Sequence, residues 1–577
     1  MTPVQRFFDF LWHNRHDIAA LTLFNAVSGL FSLAIPLSVQ ALIAIIATGF
    51  ALRELILLSA TILIVLLVVA GLRLLQLRLT ELLQQRLMAQ VATRLGGQLI
   101  RVPHPVWRET YAPDLINRFF EIVKLQKALS KILSDAPQAV LQILFGLVLM
   151  AIYSPFLFSF DLFLILMGVA IAWLGRGAVA TALEESNQKY QLARLLEELG
   201  RCHISLKMNG LPAYFTRKID GEVVHYLYAR RRHFAIWLRQ LFGSYLLQAV
   251  AMTLVLGLGG WLVVQRQMTL GQLVAAELVI VILLGAIEKL ASGLADLYDL
   301  LVSFEKLGYL LDLPVEEYRG HHPPRLPQGA KVVCQNVTYR YPEEQVVLEH
   351  LDLTVTPGER TAIVGRSGAG TSTLGYLLCG LLPLQQGRIL FNDIDIDLLD
   401  LKALRSEIAL VTAHNEIFHG TVEENITLGR IVSAQQLQRA LRLADMEEML
   451  ARLPRGLETE LLAEGINISE GERIRIQIAR ALLGEPQLLI LDDIFYGLEE
   501  AGKRRVVENL LDPVHRWTVI FIGHDPDVVI RCERIHVLEG GKIVESGTLQ
   551  ELVHLDGVFV KLFPDLSSAL RRHPLAL

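Results

Sequence analysis

Along this chain, apolar and polar residues alternate in blocks of tens of residues. Six long apolar runs lie in the first half, at approximately Ile18–Gln40, Leu55–Leu75, Ala136–Phe156, Leu157–Leu174, Leu241–Val264 and Thr269–Leu290. Each is close to the roughly 20 residues that a helix needs to cross a bilayer, so six membrane helices are expected. The first, third and fifth connections are very short. The second and fourth, Gln76–Asp135 and Gly175–Gln240, are long, polar and rich in helix formers, so the spans are expected to continue as helices beyond the bilayer. Prolines and glycines break each long connection at a tip, Pro103–Asp114 and Leu199–Pro212. These tips are either plain turns or points of contact with a soluble domain. From Lys331 the pattern changes to short apolar runs alternating with helical periods, the signal of a βαβ fold. The expected organisation is an interfacial amphipathic helix at 1–16 and a helical membrane domain at 17–302. A proline-rich linker at 303–330 and an α/β domain at 331–577 follow.

Composition and charge sharpen this outline. Hydrophobic residues make up 52% of the 577-residue chain, and the net charge is −5, so nothing points to nucleic acid. The long connections carry Arg78, Arg86, Arg94, Arg101, Arg108 and Arg118, and then Arg217, Lys218, Arg230, Arg231 and Arg232. Positive-inside logic puts both connections and both termini in the cytoplasm. No cleavable signal peptide is evident. Cys202, Cys334, Cys379 and Cys532 have no metal-ligand spacing and are read as small core residues. Asp161 is expected near the outer end of its span. Glu277 lies mid-span, where a charge is costly; it marks either a substrate path or a group protonated or paired within the bundle.

The chemistry concentrates around Gly365-Arg366-Ser367-Gly368-Ala369-Gly370-Thr371-Ser372-Thr373, between the apolar strand Thr361–Val364 and a helix. Glycines there let backbone N–H groups curl around phosphates, and the helix start adds partial positive charge. The spacing is that of a P-loop, with Thr371 where its lysine belongs. Leu488–Asp493 is an apolar strand ending in two carboxylates; Asp492 with Ser372 is the expected Mg²⁺ site, and Asp493 the catalytic base. Tyr341 precedes the loop and is expected to stack on adenine.

Asn467-Ile468-Ser469-Glu470-Gly471-Glu472-Arg473 before the helix Ile476–Leu482 resembles the signature motif of ATP-binding cassette (ABC) transporters, L-S-G-G-Q. Gly523-His524-Asp525 resembles their switch histidine, and Phe418–Ile426 the segment after their Q-loop. With the membrane domain first, the order matches an exporter-type half-transporter over nearly the whole chain. Leu258–Val264 and Met268–Leu273 look most like bacterial peptide and type I secretion exporters. The spans start almost at once, so the peptidase-like domain that many of that group carry is not expected. The departures fall on chemistry: Thr371 for lysine, Ala413 at the Q-loop glutamine, Asp493 for glutamate, Glu470 and Glu472 in the signature, and Glu499 in the D-loop.

The resemblance implies a type I exporter fold in the bacterial inner membrane, with ATP and Mg²⁺ as cofactors. Two nucleotide domains sandwich ATP, so Ser469, Glu470, Gly471 and Glu472 would face a partner's nucleotide. Losing one donor to transition-state charge costs roughly 10²–10³ in rate, so weak or no hydrolysis is expected at the Thr371 site. A heterodimer with an intact half-transporter is preferred. A homodimer, a periplasmic adaptor and a purely structural role stay open, as does the cargo: peptide, protein, lipid or hydrophobic compound.

Overall fold

The structure, a computed structural model, describes residues 2–48, 52–153, 155–342, 345–414 and 416–572. The chain divides into two compact units. One is Met1–Val102 with Trp107–Val315; the other is Glu316–Leu577 with the four residues Pro103–Val106.

The first unit is helical. Among the described residues, six segments are long and apolar enough to cross a membrane: Arg15–Ala47, Leu52–Leu99, Ala112–Ile152, Leu162–Arg201, Pro212–Val264 and Leu270–Leu311. Leu52–Leu99 is a single 48-residue helix. At 1.5 Å per residue it measures about 70 Å, more than twice a bilayer core, so the polar connections are extensions of the spans themselves. The first segment is two helices, Arg15–Ser32 and Ala34–Thr48, broken at Leu33. Pro36 has no N–H to give the carbonyl of Ser32, which is where the ladder stops. At the first tip the prolines leave two short helices, His104–Glu109 and Ala112–Asn117. At the second, His203–Asn209 precedes a helix that restarts at Pro212.

Polar side chains tie the bundle together where water is scarce. Asn25, fully buried, donates to the carbonyl of Leu133 at 3.2 Å and accepts from Gln76 at 3.0 Å, linking three spans. The N-terminal helix Pro3–His13 starts with a Thr2–Gln5 capping box and packs Phe7 and Phe10 on Phe304, leaving Phe8 and Trp12 exposed. The last helix runs on to Leu311, through the start of the expected linker. The turn after Tyr153 and the side chain of Asp161 lie outside the described residues. One cysteine reading fails. Cys202 is exposed, because it sits at the polar second tip where no sheet covers it; the other three are buried. Burial pushes the thiols of Cys334, Cys379 and Cys532 up to about 12.

The second unit holds two main sheets. One is antiparallel, in the order Val346–Val355, Val332–Arg340, Gln386–Phe391, Ile394–Asp395. The other has six strands, in the order Lys542–Gly547, Arg534–Glu539, Arg360–Gly365, Thr518–Ile522, Leu488–Asp492, Ile408–Thr412. All but the first run parallel. The three central strands are buried along their whole length, which explains their unbroken apolar runs. Register puts Ile363, Ile522, Asp492 and Thr412 in one row, so the C-terminal ends of four strands line up. In such sheets ligands bind at that edge. His104 of the first tip lies with its ring 5.0 Å from that of Tyr376, behind the phosphate loop.

Arg360 anchors the strand that presents the loop. It is 5% exposed, and its guanidinium donates to the carbonyls of Leu511 (3.2 Å), Asp512 (2.7 Å), His515 (3.3 Å) and Gly358. Replacing Arg360 with Ala is expected to cost about 2–4 kcal/mol, because several buried acceptors lose their donor at once. Thermal unfolding of the purified chain in detergent checks this, and Arg360→Lys should rescue little, since an ammonium cannot copy the planar fork.

Candidate functional site

The aligned strand ends bring the P-loop, the paired carboxylates and the switch histidine into one place. Gly365 ends its strand, Arg366–Gly370 turn, and a helix begins at Thr371. Gly370 has φ +102°, and a Cβ there would meet the carbonyl oxygen of Val347 at 2.8 Å, so only glycine lets the loop close. Ala369 and Gly370 are buried, whereas Arg366, Ser367 and Gly368 are exposed. Among the described residues, neither Thr371 nor Arg366 has a side-chain hydrogen bond or ion pair.

Ser372 Oγ donates to Asp492 Oδ1 at 3.1 Å, joining the helix start to the end of the neighbouring acidic strand. Burial raises the pKa of Asp492 and the nearby Asp493 raises it further. The Ser372 hydroxyl and the His414 imidazole work against this. No cluster of three His, Cys, Asp or Glu residues suited to a metal occurs among the described residues. One carboxylate and one hydroxyl are what an Mg²⁺ ion needs when substrate phosphates and water complete its shell, so Ser372 and Asp492 fit that ion.

Asp493 is held in a left-handed conformation, φ +52°, with its N–H bonded to the carbonyl of Ile522 at 2.9 Å. Its carboxylate lies beside His524, and its Oδ1 is buried with no hydrogen-bond partner among the described residues. Burial raises its pKa, against the pull of His524. A Cβ at Gly523 would meet that Oδ1 at 2.6 Å, so Gly523 is the residue that lets the carboxylate approach the switch loop. His524 is half-buried, its ring 6.4 Å from Phe563.

Tyr341 is buried, edge-on to Tyr339 at 5.1 Å, and its hydroxyl lies 3.2 Å from that of Thr373. The ring therefore joins the strand before the loop to the helix after it. Beside it is a cavity of about 340 Å³ lined by Arg340, Tyr341, Gln385 and Gln386. Gln385 fixes that strand end by pairing with the Arg340 backbone twice, at 2.8 Å each.

The signature residues form a second cluster, sharing no side-chain hydrogen bond or ion pair with the cradle among the described residues. Ser469 caps the helix Glu470–Leu482 in a capping box. Its hydroxyl and its N–H both donate to Glu472 Oε2, at 3.0 and 2.8 Å. Gly471 packs so close that a Cβ would meet the carbonyl of Gly497 at 2.9 Å, and the stem of Glu470 also lies against Gly497. Glu277 is half-buried on Leu270–Leu311 and has no hydrogen bond or ion pair among the described residues.

Lys503 went unread in the sequence. It contacts Asp525 at 3.1 Å, Asp527 at 3.0 Å and Glu500 at 3.3 Å. Burial pulls its pKa down, but these carboxylates outweigh burial and raise it. It ties the helix after Gly497 to the loop carrying His524, and no local pattern in the sequence signals this.

The family description "ABC transporter transmembrane region" matches residues 18–287, and "ABC transporter" matches residues 348–495. The cyclolysin secretion/processing ATP-binding protein CyaB of Bordetella pertussis is 27% identical over 569 residues, covering 96% of this chain and 79% of that protein. The ATP-dependent lipid A-core flippase of Methylobacillus flagellatus is 33% identical over 340 residues, 58% of each chain. A solved structure of a bacterial Atm1-family ABC exporter with ATP bound superposes with TM-score 0.83 at 21% identity, covering 96% of this chain and 98% of that one, which establishes the fold.

The raised pKa of Asp493 sets a pH dependence. A carboxyl that is harder to ionise when folded lowers stability once pH rises through its folded value, and leaves stability unchanged below the ordinary 3.8. Asp493→Asn is therefore expected to raise the melting temperature modestly at pH 7.5, discounted for partial solvent access. That gain should vanish towards pH 4. Calorimetry of the nucleotide-free chain at both pH values checks it.

Proposed function

Because this chain belongs to the ABC transporters, as an exporter half that fuses a membrane region to a nucleotide-binding domain, we propose that it is the ATP-holding, weakly hydrolysing member of an asymmetric pair. Its family is ATP-driven, integral to the membrane and dimeric. The observation that carries the reading is the contrast within one site. The backbone cradle, Ser372, Thr373, Asp492 and Tyr341 remain, while the lysine, the Q-loop glutamine and the glutamate base are Thr371, Ala413 and Asp493. The first group binds a nucleotide with Mg²⁺; the second group stabilises and initiates bond cleavage. A base shortened by one CH₂ retreats from the reacting water, and a misplacement of about 1 Å costs roughly 10² in rate.

The intact half-transporter would then contribute the lysine and glutamate of a competent second site, and this chain would supply Ser469 and Gly471 to it. The exposed second tip carries three apolar side chains, Ile204, Met208 and Leu211, each more than two-thirds exposed, that assembly with a second half would cover. The chain would sit in the bacterial inner membrane with its nucleotide domain on the cytoplasmic side, a placement that the arginines of the polar connections favour. A match spanning 96% of this chain with a protein named for secretion favours a polypeptide cargo, and Glu277 would face its path.

The purified chain alone is expected to bind a fluorescent ATP analogue with Mg²⁺ and to hydrolyse ATP at least about 10²-fold more slowly than a pair made with a lysine-bearing half-transporter. In that pair, Ser469→Ala in this chain should lower turnover by roughly 10². Brisk hydrolysis by the chain alone, abolished by Asp493→Asn, would overturn the proposal and favour a homodimer in which Arg366 replaces the lysine.

A further inference from the structure

A cavity of about 540 Å³ opens in the nucleotide-binding unit away from the cradle. Its lining includes Gln487 and Trp517, which immediately precede the parallel strands Leu488–Asp492 and Thr518–Ile522. The cradle sits at the opposite, C-terminal end of the same sheet. Five residues at about 3.3 Å each separate the two ends by roughly 17 Å, so this cavity is no part of the ATP site.

Three arginines from three separate segments line it: Arg325 before the first strand, Arg439 on the helix Ala434–Leu443, and Arg516 in the turn before Thr518. Glu485 is the one acidic residue in the lining. Arg325 is partly engaged, 3.3 Å from Glu407 and bonded to the carbonyl of Glu485. Arg439 and Arg516 have neither a hydrogen bond nor an ion pair among the described residues. The arginines of the adjoining cleft are different. Arg405 is bidentate on Glu316 and bonds the carbonyls of Cys379 and Gly380, and Arg430 and Arg480 bond backbone carbonyls. Those hold the fold together; Arg439 and Arg516 hold nothing.

The field of Arg439 is felt by its surroundings. His515, stacked on Trp517 at 4.4 Å, has its pKa lowered by burial and then by Arg439. Leu443, Leu483, Pro486 and Val514 give the wall an apolar part, and Gln436 and Gln487 add polar groups. An excess of uncommitted guanidinium forks over an apolar wall, in a cavity sized for a small ligand, suits a compact dianion with a non-polar body. We propose that this cleft is a second ligand site, for a small phosphate-bearing molecule whose phosphate is gripped by Arg439 and Arg516, with Gln436 as a further donor.

The test modifies accessible guanidinium groups of the full chain in detergent with phenylglyoxal, with and without inorganic pyrophosphate, and reads each arginine by peptide mass. Pyrophosphate at about ten times its Kd is expected to slow modification of Arg439 and Arg516 by about tenfold, while the exposed Arg388 is unaffected. Arg366, on the phosphate loop, reports the ATP cradle separately. In a double variant, Arg439→Gln with Arg516→Gln, calorimetry should lose one pyrophosphate site while Arg366 stays protected, which also shows that the variant is folded. Unchanged modification of Arg439 and Arg516 at saturating pyrophosphate would overturn the proposal. Protection by a glutamate-rich octapeptide but not by pyrophosphate would overturn it too, and assign the cleft to an acidic polypeptide.

Discussion

Everything at the nucleotide site depends on one row of the parallel sheet. Backbone pairing sets Ile363, Ile522, Asp492 and Thr412 side by side, and the next residue or two on each strand are Gly365, Gly523 with His524, Asp493, and Ala413 with His414. Register is a main-chain property, fixed by buried apolar runs that slip only by exposing their core faces. Side chains at the strand ends can change without moving the row. That separation lets the loop keep its glycines and its Ser372–Asp492 bond whatever side chains stand at Thr371, Ala413 and Asp493.

Asp493 sits where the strand Leu488–Asp492 meets the loop carrying His524. Its carboxylate lies so close to Gly523 that a Cβ there would meet Oδ1 at 2.6 Å. The loop carrying His524 is held from two sides, at its start by the Asp493 N–H on the Ile522 carbonyl and farther on by Lys503 through Asp525 and Asp527. The signature end reaches the same framework through Gly471 on Gly497. A charge-rich brace thus runs from the Ser469 cap to the switch histidine, and it relies on ion pairs between residues far apart in the chain.

This difference in range decides what could be read from the sequence. The spans were legible because an apolar run of twenty residues has few other uses, and the P-loop because glycine positions such as Gly370 answer a backbone requirement. Boundaries were less so: the last helix passes through the start of the expected linker to Leu311, since the apolar packing of Phe304, Leu307 and Leu310 outweighs the one weak helix former, Gly308. Lys503 with its three acids, the Tyr341–Thr373 hydroxyl pair and the pull of His414 on Asp492 were invisible, because each joins residues that only the fold brings together. Cys202 was misread because a small apolar residue is usually covered, and a helix tip does not cover it.

That exposed thiol has a practical side. The three other cysteines are buried and their thiolates are scarce at neutral pH, so a maleimide reagent will find one address, at the polar second tip. The native chain thus carries its own attachment point for a spin label or fluorophore, at the junction of the helices Ala178–Arg201 and His203–Asn209. Spectroscopy could follow that tip through a transport cycle without first engineering a cysteine-free background.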